Sequence, residues 1–203
     1  MSRNLTLATA ALSALALTAC GGQDGSPTPG QNPPAQTPTA IVHSDPVPHN
    51  DADTMFTQMM IVHHQGAIEM SQLAPQRAES QEVKDLAATI EQAQGPEIEQ
   101  MTTWLQAWGE PVESSDHGHE HDESMLMNGK THQQVMAELR GMSGKEFDRA
   151  FLKAMIPHHE GAVTMSQDVL RGGQNPDVQA LAQQIIDSQE AEITQMKDML
   201  ADM

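Results

Sequence analysis

Apolar residues return at three- and four-residue steps in two long stretches near the middle of the chain. One stripe runs from Phe56 to Ala74, and a second runs from Val83 to Leu105. This spacing places apolar side chains on one face of an α-helix, whereas a strand would alternate at every second position. No stretch alternates in that way. The pattern therefore predicts a helical hairpin.

The same pattern occurs a second time towards the C-terminus. Sliding the chain by 95 residues aligns positions 53–108 with 148–203 without a gap, and roughly 21 of the 56 aligned residues are identical. A repeat of this length is a supersecondary unit that packs against its copy. We therefore predict an all-α fold, a four-helix bundle built from two tandem helical hairpins at 51–108 and 143–203.

Local signals mark the ends of these helices. Ser143 with Glu146 predicts a capping box, and Asn175 before Pro176 predicts the N-cap of the last helix. The run RGGQN at 171–175 predicts a helix end. Two prolines, Pro96 and Pro157, fall inside predicted helices, where each removes a backbone donor and is expected to kink the helix.

The N-terminal residues indicate export. Residues 1–19 have one positive charge, a short apolar run and small residues before Cys20. This is typical of a lipoprotein signal peptide, with Cys20 as the lipidation site; an ordinary secretory signal is the alternative. Residues 20–50 are rich in Pro, Gly and Thr and predict a disordered tether. We expect a cell-envelope lipoprotein on the periplasmic or extracellular face, held at the membrane only by its lipid.

Composition narrows the choice of partner. The formal net charge is −18 at pH 7, and it becomes −19 if Arg3 leaves with the signal. Without a basic patch, nucleic acid is not an expected partner, whereas metal cations suit an acidic surface. The chain has 15 Met and one Cys. Because no thiolate site or disulfide can form within the chain, a soft metal here has to use Met and His.

The repeat duplicates a set of potential metal ligands. Each first helix carries a methionine three and four residues before a histidine pair, so that these side chains can meet on one helix face. Each second helix carries a further methionine at a matching position. The sets are Met60, His63, His64 and Met101 in the first hairpin and Met155, His158, His159 and Met196 in the second. Either each unit, or the two together, can offer three or four donors.

Packing is the alternative explanation of the same residues. Methionine fills gaps in cores, and a buried histidine can be satisfied by a polar partner. The repeated Gln94/Gln189 and Glu97/Glu192 are candidates for such partners.

The softness of the donors decides which metal is expected. Ferritin-like di-iron bundles place a glutamate three residues before the histidine. Met60 and Met155 occupy that position here, so a thioether replaces the carboxylate in both copies. Methionine and histidine without cysteine favour Cu(I) over iron or manganese. We therefore expect copper as Cu(I), with Ag(I) as the second candidate by chemical similarity.

The connection at 109–142 is acidic and contains a histidine-rich tract. Three histidines in this tract can bind Cu(II), Zn(II) or Ni(II) weakly, and a solvated acidic loop is the alternative. They are His117, His119 and His121. The end of the connection leaves room for a short helix between Thr131 and Arg140.

Two copies of one motif carry a resemblance to a known family. Residues 155–162 read MIPHHEGA, between Asp148, Phe151 and Met165. Residues 60–67 read MIVHHQGA, with Val in place of Pro. In these residues the chain resembles the domain-of-unknown-function 305 (DUF305) family. The resemblance implies a ferritin-like bundle, export, and copper or silver binding as in some members. It implies these binding positions: Met60, His63, His64, Met70, Met155, His158, His159 and Met165.

The leading hypothesis is an exported Cu(I)-binding protein that buffers or passes on copper for metal tolerance and performs no catalysis. Two alternatives stay open. A ferritin-like oxidase would use Glu97 and Glu192 as repeated carboxylates. A non-metal interaction or chaperone-like module would use the methionine-rich stripes as an adaptable surface. The sequence does not name a donor or acceptor protein for the copper.

Overall fold

The computed structural model describes residues 48–112, 127 and 129–203. These residues form six helices: α1 (Asp51–Ser71), α2 (Ala74–Arg77), α3 (Gln81–Trp108), α4 (His132–Gly141), α5 (Gly144–Gly172) and α6 (Pro176–Ala201). No strand occurs among them, apart from one isolated bridge between Met127 and Lys130. The all-α prediction is confirmed. The signal peptide, Cys20, most of the tether and the loop histidines at 117, 119 and 121 lie outside the described residues.

Two hairpins make the bundle. Helix α1 packs against α3, α5 packs against α6, and the two hairpins meet mainly through α1 and α5. The Asn50 side chain, at the start of α1, donates to the carbonyl of Gly172 at the end of α5, 2.9 Å away. The two central helices therefore run antiparallel, and the repeats are related by an approximate two-fold axis between them.

The helix caps agree only in part with the sequence signals. The Asn175 side chain accepts hydrogen bonds from the amides of Asp177 and Val178, as predicted. The capping box at Ser143 is wrong, because Ser143 occupies the N-cap position without a side-chain cap bond. Gly144 follows it with φ +64°, in the left-handed region, so the first residue after the N-cap does not have the helical backbone that a capping box requires. A capping box forms instead at Asn50, with Asp53.

The repeated aspartates fasten each hairpin to the other. Asp53 in α1 is fully buried and accepts hydrogen bonds from the backbone amides of Gln174 and Asn175, in the turn before α6. Asp148 in α5 accepts from the amides of Glu79 and Ser80, in the turn before α3. Each first helix therefore supplies the partner for the turn in the opposite hairpin.

The apolar core is divided into two clusters. The first apolar cluster contains Phe56, Met60, Ile61, Met101, Leu105, Ala162, Met165, Val169, Val178, Leu181, Ala182 and Ile185. The second apolar cluster contains, among others, Met70, Val83, Ile90, Leu139, Phe147, Phe151, Met155, Ile193 and Met196. Along α1 and α3 the change from one cluster to the other falls at polar residues. The polar residues therefore form a layer across the middle of the bundle.

Both internal prolines lie within continuous helical segments, Pro96 in α3 and Pro157 in α5. In the described part of the chain, none of the helices combines the length and the apolar character that crossing a membrane requires.

Candidate metal centre

The layer between the two apolar clusters receives two polar residues from each long helix. We call it the histidine layer; its members are His63, His64, Gln94, Glu97, His158, His159, Gln189 and Glu192. All four histidines are buried, with exposed fractions between 0% and 6%. Helical geometry explains the placement, because adjacent residues point about 100° apart, so the two histidines of each pair face different neighbours.

The second histidine of each pair is hydrogen-bonded to a glutamate of its own hairpin. His64 Nε2 lies 2.7 Å from Glu97 Oε2, and His159 Nε2 lies 2.6 Å from Glu192 Oε2. An ionised carboxylate can only accept, so Nε2 carries the proton and Nδ1 keeps its lone pair. Neither Nδ1 has a hydrogen-bond partner. A carboxylate on the far nitrogen is the usual way in which proteins orient a metal-binding imidazole.

The first histidine of each pair meets its counterpart across the approximate two-fold axis. The ring centroids of His63 and His158 are 3.7 Å apart, with an angle of 36° between the ring planes. Both nitrogens of His63 and the Nδ1 of His158 are buried without a hydrogen-bond partner. A neutral imidazole has one N–H donor and one acceptor nitrogen, and on His63 neither of them makes a hydrogen bond of normal geometry.

Burial keeps these two rings neutral. Removal from water lowers the pKa of His63 and His158 well below 6.5, and the neighbouring histidines lower it further because two positive charges would repel each other; a backbone group of His158 opposes the shift of the His63 pKa but does not offset it. Neutral imidazole is the form that binds a metal.

The predicted methionine ligands lie on both sides of the layer. Each apolar cluster contains three of them and mixes the two repeats: Met60, Met101 and Met165 in the first, Met70, Met155 and Met196 in the second. Of these six, five have no exposed surface and Met165 is 8% exposed. Each cluster keeps the methionine pair of one hairpin together, Met60 with Met101 and Met155 with Met196, and adds one methionine of the other hairpin. Both arrangements that the sequence left open, one hairpin or the two together, are therefore compatible with the packing.

Imidazoles and carboxylates alone do not form a closed ligand set. Among the residues that the structure describes, no three His, Cys, Asp or Glu side chains are placed to hold an ion between them. The thioethers of the adjoining clusters are the further donors that the described residues offer, and a set of imidazoles and thioethers is donor chemistry that suits Cu(I) or Ag(I).

The structure adds one histidine that the sequence reading missed. His132, the first residue of α4, lies beside Gly66 of α1: a Cβ at Gly66 would be 3.3 Å from His132 Nδ1 and 3.4 Å from His158 Nε2. His132 is outside the repeat, so the comparison of the two copies could not single it out. The only local signal was Thr131 with Gln134, whose capping box fixes the start of α4.

Residues 53–200 match the family model described as "Domain of unknown function (DUF305)". A DUF305 protein from Streptomyces coelicolor is similar in structure, with 35% identity, a TM-score of 0.67, and coverage of 74% of this chain and 93% of that one. A DUF305 fragment from Deinococcus radiodurans has 30% identity and a TM-score of 0.67, covering 77% of this chain and 99% of the fragment.

Among the similar structures is CopM, solved in a Cu(I)-bound form, with 36% identity, a TM-score of 0.61, and coverage of 74% of this chain and 96% of that one. CopM has also been solved with Ag and with Cu(II). A shorter match, 42% identical over 53 residues, links the chain to an uncharacterized protein of Acanthamoeba polyphaga mimivirus. That match spans 26% of this chain and only 35% of the viral protein.

Proposed function

We propose that this chain, which belongs to the DUF305 family, binds Cu(I) in its histidine layer, with Ag(I) as the second candidate ion. We further propose that it buffers or passes on copper outside the cytoplasm and performs no catalysis.

The observation that carries the proposal is the set of unpartnered ring nitrogens. Five nitrogens of the four layer histidines, both of His63 and one each of His64, His158 and His159, are buried without a hydrogen-bond partner. A buried polar group left unsatisfied costs about 1–3 kcal/mol. A bound metal ion, which accepts the lone pairs of neutral imidazoles, explains why several such groups are kept together in the core.

The surrounding donors favour a soft ion. The clusters above and below the layer each supply three buried methionines. Thioethers carry no charge and do not titrate, so they bind Cu(I) without bringing anionic ligands into the core. Glu97 and Glu192 are already hydrogen-bonded to His64 and His159, which gives them the role of orienting imidazoles.

The relatives support the same ions. The Cu(I)-, Cu(II)- and Ag-bound forms of CopM are structures of a protein with this fold and 36% identity. Export is supported by the Streptomyces coelicolor relative, which is provisionally named a secreted protein. Attachment through a lipid on Cys20 remains our expectation from the sequence.

The test is an anaerobic Cu(I) titration of the full chain against a colorimetric chelator. The variant His64→Ala/His159→Ala removes the two imidazoles whose free nitrogens are best oriented. We expect its Cu(I) affinity to fall at least tenfold, since even changes to residues that only support a ligand commonly cost 10–100-fold. Circular dichroism would check that the variant keeps its helices.

Two control variants keep the result specific. His49→Ala removes a histidine that stacks on Trp108, with ring centroids 4.3 Å apart, away from the layer. Replacing His117, His119 and His121 by Ala tests the acidic connection. Wild-type affinity in the layer variant, with a loss in the connection variant, would move the site out of the bundle. No competitive binding in any of the proteins would end the copper proposal.

A further inference from the structure

The helix α4 breaks the two-fold symmetry of the bundle. It lies in the connection between the two repeats and packs through Val135, Met136 and Leu139 into the second apolar cluster. Its first residue, His132, reaches the region of the histidine layer from outside the repeat.

His132 has the same hydrogen-bond pattern as the two oriented histidines of the layer. Its Nε2 lies 2.9 Å from Glu69 Oε2, while its Nδ1 is buried and has no partner. His64 with Glu97 and His159 with Glu192 show the identical pattern, with a carboxylate on Nε2 and a free Nδ1. All three carboxylate-paired histidines among the described residues therefore leave the same nitrogen available.

The free nitrogen of His132 faces the layer. His132 Nδ1 and His158 Nε2 lie 3.3 and 3.4 Å from the same point, the position that a Cβ on Gly66 would occupy. The two nitrogens are therefore no farther apart than the sum of those distances. The absence of a side chain at Gly66 is what lets both rings approach α1 so closely.

His132 differs from the layer histidines in its contact with solvent. Its side chain is 33% exposed and that of Glu69 is 56% exposed, whereas the side chains of His64 and His159 are fully buried. The capping box of Thr131 and Gln134 holds the start of α4 in place. The His132 ring is therefore held in place, with its Nε2 side partly exposed to solvent and its Nδ1 buried.

From this arrangement we infer that His132 is a fifth metal-binding histidine, which binds the ion through Nδ1 beside His158 and forms the solvent-side end of the histidine layer. The inference deepens the proposed function and rests on it. It makes the two halves of the bundle unequal, because the described residues place this extra ligand beside His158 in α5.

Histidine ring nitrogens can be observed directly. We would label the histidines of the full chain with ¹⁵N and record ring-nitrogen shifts by NMR before and after adding Ag(I), which is diamagnetic and inert to oxygen. We expect the Nδ1 of His132 to shift strongly on binding while its Nε2 stays protonated against Glu69. Layer histidines that shift while the Nδ1 of His132 does not would overturn the inference and leave the proposed function intact. If no ring nitrogen shifted, the proposed function itself would fail.

Three variants supply an independent readout in an Ag(I) affinity titration. His132→Ala should weaken binding at least tenfold, and Glu69→Gln should weaken it because the carboxylate no longer fixes the tautomer. Gly66→Ala should weaken it as well, since the new methyl group would crowd both His132 and His158. Gly95→Ala is the matched control, because a Cβ at Gly95 meets nothing within 4 Å. Equal affinity in all four proteins would contradict the assignment.

Discussion

His63 is the layer residue with the least support in the metal-free protein. It is 3% exposed and neither ring nitrogen has a hydrogen-bond partner. His64 and His159, in contrast, each have one ring nitrogen that is hydrogen-bonded to a glutamate. His63 and His64, although adjacent in the sequence, should therefore respond in opposite ways to substitution by leucine.

We predict that His63→Leu stabilises the metal-free protein by about 1–3 kcal/mol, because an apolar side chain removes the unsatisfied ring nitrogens. The same change in His64 should destabilise the protein, since Glu97 then loses its partner. Urea unfolding of the metal-free proteins measures both. A destabilised His63→Leu variant would show that the ring nitrogens of His63 find partners in solution.

The stability of the metal-free protein should also depend on pH through His63 and His158. Their pKa values are lowered in the folded state by burial and by neighbouring histidines, while the unfolded chain titrates near 6.5. The unfolded chain therefore binds more protons as the pH falls. The free energy of unfolding is therefore unaffected by these two histidines above pH 6.5, and it decreases as the pH falls through 6.5 towards their folded-state pKa values.

In that pH window, each of the two histidines changes the free energy of unfolding by at most about 1.4 kcal/mol per pH unit. Urea unfolding at pH 7.5, 6.5 and 5.5 would be compared between the wild type and a His63→Leu/His158→Leu variant, so that the effects of other groups cancel. Parallel pH profiles of the two proteins would refute the prediction.

At the scale of the helices, the aspartates at the start of α1 and α5 hold the bundle together. Asp53 accepts hydrogen bonds from the amides of Asn50, Gln174 and Asn175. Asp148 accepts from two amides, those of Glu79 and Ser80. Truncating either carboxylate leaves backbone donors without partners inside the protein.

We predict that Asp53→Ala destabilises the protein by about 3 kcal/mol or more and that Asp148→Ala costs about 2 kcal/mol, following the number of amides left unpaired. Asp51→Ala is the matched control: it removes the same charge from an exposed position in the first turn of α1 and should change stability by less than about 0.5 kcal/mol. The midpoints of guanidinium unfolding measure the order of destabilisation among the three variants. Equal effects for all three would mean that the loss of charge, and not the hydrogen bonds, decides the outcome.

The helices were predictable because periodicity is a local property of the sequence, and so was the cap at Asn175. The glutamate partners were visible as repeated positions, and Glu97 and Glu192 do pair with His64 and His159. The capping box expected at Ser143 failed because Gly144 has a left-handed and not a helical backbone. His132 was missed because its position beside Gly66 depends on tertiary packing. The grouping of methionines from both repeats was visible only as an alternative, since an alignment compares the hairpins without placing them together.

At the scale of the whole molecule, metal binding should appear as stability. A ligand that binds only the native state at a hundredfold excess over Kd adds about 2.7 kcal/mol. For a domain of this size that corresponds to a rise in Tm of roughly 5–10 °C. Thermal unfolding of the full chain with and without Ag(I), followed by circular dichroism, measures the shift. The His64→Ala/His159→Ala variant should show a much smaller rise; the same rise in both proteins would place the binding outside the layer.

The crossed aspartate contacts also bear on how such a chain could have arisen. A hairpin of this kind does not contain the carboxylate that holds its own turn, so alone it could complete that turn only by pairing with a second copy of itself. Such a homodimer would have true two-fold symmetry, with identical halves, and its assembly would depend on concentration. Joining the copies in one polypeptide removes the dependence on concentration and allows the two halves to differ in sequence. The segment that joins them is also where this protein acquires α4 and His132, which no symmetric ancestor could have carried on one side only.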